Sequence, residues 1–365
     1  MKQVILIIIT IFLFTSCTKK DNTIKIGLVV GTSGKYSSLG RAINDGVFLA
    51  FNQINYKING KTIELIQKDD KQDEQIDKKV INELLNKDIK IIIGNATSSM
   101  TKVSLEIINK IKGVLLFSPT ASSGEFSNKD DNFIRINGGD IDIAMQDLIK
   151  FIKLHNFKSV TIIGDDKNKA YLDTYTKWLP KTLKKQNIIK SSFQFINIDL
   201  PLLQIESKIN KSSSNLVVVV ANSIDSATVI QYLRQNNIKN KILCSGWAND
   251  KSFFENIGKY GEKLYFATSL EDNNNEKFQK YKKLFYKTYG KEPDKFNTKG
   301  YKTAQILIEA LKECKDISRV KEYILTKKTF DTVTGNLTFN RYGDIQYKEY
   351  ILQIIDGKFK KVFDE

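Results

Sequence analysis

Three hydroxyl-rich runs each follow an apolar run: GTSGKYSSLG after KIGLVV, NATSSM after IKIIIG, and SPTASS after GVLLF. Ser98 and Ser99 stand in the second and Thr120 and Ser122 in the third. Such hydroxyls beside the free backbone amides of a helix N-terminus suit a carboxylate or another small anion, although Ser and Thr also cap helices that bind nothing. A different inventory follows three later apolar runs: DDKNKAY after SVTIIG, ANSID after LVVVV, and GWAND after KILCS. It offers Asp165, Asp166, Lys169, Tyr171, Asn222, Asp225 and Trp247, polar groups beside rings that can stack on a solute. No third carboxylate or histidine is spaced in the chain to complete a metal or general-acid group around Asp165 and Asp166.

Nucleophilic and cofactor chemistry find no machinery. GTSGKY lacks the first glycine of a phosphate-binding loop, and Tyr36 stands where Ser or Thr would hold magnesium. There is no G-x-S-x-G, G-x-G-x-x-G, H-E-x-x-H or C-x-x-C motif. The single histidine, His155, ends a helical pattern and reads as solvent-facing, so no enzyme activity, cofactor or metal is expected.

The elements that must carry these loops alternate strand and helix from Lys25 onward. Ile43, Val47, Ala50, Phe51 and Ile54 fall on one helical face, as do Met100, Val103, Ile107 and Ile111. The apolar runs are continuous, as strands of parallel sheets covered on both faces require. A second series starts after FIRINGGD, with helices expected at 141–155, 169–186, 201–211 and 225–237. Further helices follow near 275–289, 296–314 and 317–326, then strand-like NLTFN, EYILQII and KFKKVF. Two consecutive doubly wound α/β halves result, and ligands of such sheets bind beyond the carboxyl ends of the strands.

The chain has 365 residues, room for two domains, and 57 basic against 41 acidic side chains, a formal net charge of +16. Arginine occurs only at positions 41, 135, 234, 319 and 341, and the lysines are scattered along helices, so nucleic acid is not the expected partner. Residues 1–17 read MKQVILIIITIFLFTSC. The apolar run from Val4 to Phe14 would span roughly 16 Å as a helix, half a bilayer core, which fits an export signal rather than a membrane span. The small residues before Cys17 resemble a lipobox. The resemblance implies a signal peptide over 1–16, a diacylated Cys17, a polar tether over 17–23, and an exported protein anchored at the outer face of the cytoplasmic membrane or in the periplasm. Cys244 and Cys314 carry no sign of pairing.

Three stretches resemble the type I periplasmic binding proteins of ABC importers, in their branched-chain amino-acid group. They are IKIGLVVGTSGKYSSLGRAINDGVFLAFNQIN, IKIIIGNATSSMTKVSLEIINKIKGVLLFSPTASS, and FYKTYGKEPDKFNTKGYKTAQILIEAL with the terminal GNLTFNRYGDIQYKEYILQIIDGKF. The resemblance implies two lobes joined by three crossings, 24–140 plus 268–330 and 141–267 plus 331–365, closing on a small solute. It implies a monomer that delivers the solute to an ABC permease. Ser98, Thr120 and Ser122 match positions that grip the ligand carboxylate in that family. Leu39 stands where the family often has Tyr, with Tyr36 nearby. Trp247 stands where leucine-type members place the acid that meets the α-ammonium, so a zwitterion would need another acid such as Asp225. The expected ligand is an amino acid or a similar small carboxylate or amide. A ligand-sensing ectodomain serving a membrane receptor is the alternative, and a surface-anchored hydrolase a weaker one.

Overall fold

The computed structural model describes residues 22–188 and 193–363. Cys17 and the export segment lie outside the described residues. The chain begins with β1 (Thr23–Val29), α1 (Ser37–Gln53), β2 (Lys57–Ile58), β3 (Lys61–Lys68), α2 (Glu74–Asn86), β4 (Ile91–Gly94), α3 (Ser98–Ile108), β5 (Leu115–Ser118) and β6 (Phe133–Arg135). It continues through α4 (Ile141–Ala144), α5 (Gln146–Leu154), β7 (Val160–Gly164), α6 (Lys169–Asp173), α7 (Leu179–Lys185), β8 (Phe193–Asn197), α8 (Leu202–Lys211), β9 (Leu216–Val220), α9 (Ser223–Gln235), β10 (Lys241–Ser245), α10 (Lys251–Ile257) and β11 (Tyr265–Thr268). Then follow α11 (Glu276–Tyr289), α12 (Lys295–Glu313), α13 (Val320–Lys327), β12 (Thr329–Thr332), β13 (Gly335–Thr338), β14 (Tyr350–Ile355) and β15 (Lys358–Lys361).

Two sheets organise these elements. The first has strand order β2-β3-β1-β4-β5-β6 and the second β15-β14-β11-β10-β9-β7-β8. Pairing is parallel through the centre of each sheet, and antiparallel at β2–β3, β11–β14 and β14–β15. Strands β4, β5, β7 and β9 are buried at every position, which is why their sequences show no polar alternation. The carboxyl ends of both sheets face a common cleft, so the loops after β4, β5, β7 and β10 meet there.

The chain passes between the sheets three times. After β6 it enters the second lobe, and after β11 it returns as α11–α13 to pack on the first. Helix α12 lies directly on α1: Asn297 Nδ2 donates to the Ala42 carbonyl at 2.9 Å, and Gly46 and Gly300 mark the crossing. A Cβ at Gly300 would run into the backbone of Ile43, so only glycine lets the two helices come this close.

Local differences from the sequence reading have physical causes. The helix expected over 141–155 is broken at Met145 into α4 and α5, and that over 169–186 has a wide turn at 174–178 between α6 and α7. NLTFN does not join the second sheet: β13 pairs with β12, and this hairpin bonds to the first lobe through the Lys302 bond to Thr334. The third passage therefore comes at 339–349, after the division expected at 330/331. Cys244 and Cys314 are both free, Cys244 buried within β10. His155 is exposed at the end of α5, edge-on to Phe151. Among the described residues no helix is long and apolar enough to cross a membrane.

Candidate functional site

Thr97 caps α3, its side chain accepting from the Met100 amide, and this holds Ser98 at the first turn of a helix that starts where β4 ends. The Ser98 hydroxyl accepts from the backbone amides of Ser122 and Ser123, both at 3.1 Å, and so ties the loop after β4 to the loop after β5. Thr120 donates to the Ala96 carbonyl at 2.6 Å. Ser98, Thr120 and Ser122 line one wall of a cavity of about 40 Å³, and Tyr171 and Trp247 line the wall contributed by the second lobe. The two rings meet edge to face at 6.1 Å, and Tyr36 from the first lobe stacks on Trp247 at 5.8 Å with an interplanar angle of 16°. Leu39 also reaches the cavity.

Ser99, Asn222 and Asp225, singled out in the sequence, act elsewhere. Ser99 holds the lobes together: its amide donates to Asn168 Oδ1 and its hydroxyl accepts from the Ala170 amide, each at 3.1 Å. Asn222 is the cap of α9, taking the amides of Ile224 and Asp225, and it does not line the cavity. Asp225 is likewise away from the cavity. It accepts from Asn222 Nδ2 at 2.6 Å and lies 2.7 Å from Lys35 Nζ, so it is already matched to a cation.

These contacts belong to a closed cleft. Lys35, from the first lobe, reaches Asp199 at 2.9 Å and Asp165 at 3.7 Å as well as Asp225. Burial pulls the Lys35 ammonium down, but its bonds to Asp225 and Asp199 outweigh that and hold it above an ordinary lysine. The Tyr36 hydroxyl donates to Asp165 Oδ2 at 2.5 Å, and the Ser123 hydroxyl donates to the Ala170 carbonyl at 2.7 Å. The fold does supply the third carboxylate that spacing did not show, since Asp165, Asp166 and Asp199 approach within 4.8 Å of one another. Lys35 is the countercharge to two of them.

The charged groups of the cavity were not visible in the sequence. Lys295 and Lys299 project from one face of α12, one turn apart, and Glu349 and Tyr347 come from the third passage between the lobes. Lys299 donates to Asn137 Oδ1, and Asn137 in turn donates to the Thr120 carbonyl at 2.7 Å. The amide of Asn137 thus positions the lysine against the hydroxyl wall. Lys295 donates to the Gly246 carbonyl beside Trp247. Glu349 accepts from the Tyr347 hydroxyl at 3.2 Å. Burial pushes Glu349 up to about 7 and pulls Lys295 down to about 8. Burial, with Lys295 alongside, takes Lys299 down to about 7.

A closed cleft between two such lobes is a device for capture, and sequence comparison agrees. The family model described as "Periplasmic binding protein" matches residues 23–358. The chain belongs to the periplasmic binding protein family. It is similar to the leucine-, isoleucine-, valine-, threonine- and alanine-binding protein of Pseudomonas aeruginosa, 24% identical over 343 residues covering 91% of this chain and 90% of that protein. Among solved structures, a leucine-binding protein from Thermotoga maritima superposes with a TM-score of 0.81 at 17% identity, over 93% of this chain and 98% of the other. A solute-binding protein of an ABC transporter from R. palustris, in complex with benzoate, superposes with a TM-score of 0.80 at 17% identity, over 93% and 95%. The family and the two-lobed fold read from the sequence are both borne out.

Proposed function

We propose that this periplasmic binding protein is the capturing component of an ABC importer, taking an amino acid or a similar small carboxylate or amide between its lobes. The observation that carries the reading is the join of two unlike walls across the cleft: hydroxyls at the start of α3 on one side, Trp247 and Tyr171 on the other. The N-terminal end of α3 and its hydroxyls favour an anionic group, and the rings cover the rest of the solute. Closure follows because Ser99, Tyr36 and Lys35 gain their partners only when the lobes meet. The closed form would dock, as a monomer, on a membrane permease and would catalyse no reaction. The similarity to a relative named for five aliphatic and hydroxylic amino acids supports this, and the benzoate-bound neighbour widens the ligand class to acids without an ammonium. Export and diacylation of Cys17 complete the proposal, holding the capture lobes beside the permease.

The test is thermal stability of ligand-stripped protein, from Thr18 onward, against amino acids, amides, small carboxylates and sugars. A solute at one hundred times its dissociation constant should add about 2.7 kcal/mol, a shift of several degrees. Silence across the whole panel would remove the capture reading. For the anchor, the wild type should fractionate with membranes and Cys17→Ala should not.

A further inference from the structure

Among the described residues three cations are buried: Arg135, Lys299 and Lys302. Two of them meet a carboxylate. Arg135 Nε is 2.6 Å from Asp344, and Lys302 Nζ is 2.9 Å from Glu271. Lys299 has none within 4 Å among the described residues; it makes do with the neutral amide of Asn137 and the ring of Tyr347 at 5.9 Å. Lys295, on the same face of α12, also lacks an ion pair there, and so does Glu349. A charge taken out of water needs a counter-charge or it is strongly disfavoured. Among these buried cations the molecule follows that rule at Arg135 and Lys302 and departs from it at Lys299, which lines the solute cavity.

With all three groups ionised, two ammoniums and one carboxylate give the cavity one positive charge, the state that an anion seated beside Lys299 draws out. We propose that the captured solute carries a net charge of −1, and that Lys299 pairs its anionic group. This rests on the capture reading above. A neutral zwitterion such as leucine leaves the excess charge in place, whereas a monocarboxylate or an acidic amino acid cancels it. These last two share one chemistry and differ at Glu349. An acidic amino acid sets its ammonium there, and a monocarboxylate leaves Glu349 to Lys295.

The groups facing Lys299 are Lys295 and Lys302 on its own helix, Glu271 from the second passage, and Glu349 and Tyr347 from the third, while Lys295 also faces Asp250 and Asp294. An anion added beside them raises the proton affinity of both cavity lysines, so binding at pH 8 takes up protons.

Titration calorimetry of ligand-stripped protein decides the matter, with phenylacetate, 3-methylbutyrate, glutamate and leucine as probes. At least one probe of charge −1 should bind ten-fold or more tightly than leucine. Its binding enthalpy at pH 8 should vary with the buffer's ionisation enthalpy in the direction of proton uptake, a readout that needs no variant. Lys299→Met should weaken that probe ten-fold or more, while the unliganded variant melts no lower than the wild type. Glu349→Gln should abolish glutamate binding if an acidic amino acid is the ligand, and spare the monocarboxylates if they are. Leucine binding as tightly as every −1 probe would overturn the inference and leave the capture reading standing. Undiminished affinity in Lys299→Met would overturn it too. No binding by any probe or by the wider panel would remove both.

Discussion

Ser98 shows how one hydroxyl can serve both architecture and recognition. It holds two amides of the neighbouring loop, so its removal strands the Ser122 and Ser123 N–H groups within the closed site. Ser98→Ala should therefore destabilise the protein by about 1–3 kcal/mol, measured by denaturant unfolding, and weaken its ligand as well. The cavity charges make a separate prediction. Glu349 ionises near 7 in the fold but near the ordinary glutamate value when unfolded, so the folded state holds more protons between about pH 4.5 and 7. Stability then falls as pH rises through that window, by at most about 1.4 kcal/mol per pH unit. Lys299 works in the opposite sense. The unfolded chain keeps its proton to about pH 10, the fold releases it near 7, and stability rises with pH between the two. Glu349→Gln should flatten the acid limb in unliganded protein and leave the alkaline one. Part of the acid slope should persist, because burial and the nearby Asp70 charge also push Asp77 up to about 7. Unfolding measured at pH 5, 7 and 9 checks both limbs. At this scale the sequence was half legible. Ser98, Thr120, Ser122, Tyr171 and Trp247 stood directly after apolar strands and reached the cavity, whereas Asn222, equally placed, was spent capping α9. The residues to either side of a cap look alike until the helix axis is known.

Helix α12 is the element that a linear reading undervalues. Its KFNTKGYK segment looks like any lysine-bearing helix face, yet Asp294 and Asn297 form a reciprocal cap at its start and Asn297 and Gly300 press it onto α1. That packing turns Lys295 and Lys299 inward. Nothing in the spacing alone separates an inward lysine pair from an outward one, since both repeat every helical turn. Gly300→Ala should force the helices apart, costing about 1–3 kcal/mol in unfolding free energy, and should lower ligand affinity although residue 300 does not line the cavity. By contrast the parallel strands were legible almost to the residue, because burial on both faces leaves an unbroken apolar signature. The passage at 339–349 was not, for it has neither period, and it supplies Tyr347 and Glu349.

On the scale of the whole molecule, closure is a sum of contacts between lobes, and Lys35 is the most electrostatic of them. Its ammonium is partly accessible and faces three aspartates of the second lobe. Lys35→Met should favour the open form, raise the ligand dissociation rate and increase the radius of gyration of the unliganded protein in X-ray scattering. Added salt should reproduce part of the effect in the wild type and change the variant less, since an exposed ion pair is screened and a deleted one cannot be. The division into two lobes was visible from the repeated strand–helix series. The latch was not, because Lys35, Asp165, Asp199 and Asp225 come together only when two separately folded halves meet.

The stack of Tyr36 on Trp247 has an optical consequence. The chain has two tryptophans, and Trp178, directly before α7 in the second lobe, is partly buried against the core. Among the described residues Trp247 alone has its indole stacked by a ring from the opposite lobe. Parting the lobes uncovers one fluorophore and leaves the other as a constant background. The molecule carries its own gauge of aperture, readable without a dye: in Trp178→Phe, ligand-driven closing and release can be timed by stopped flow from a single indole.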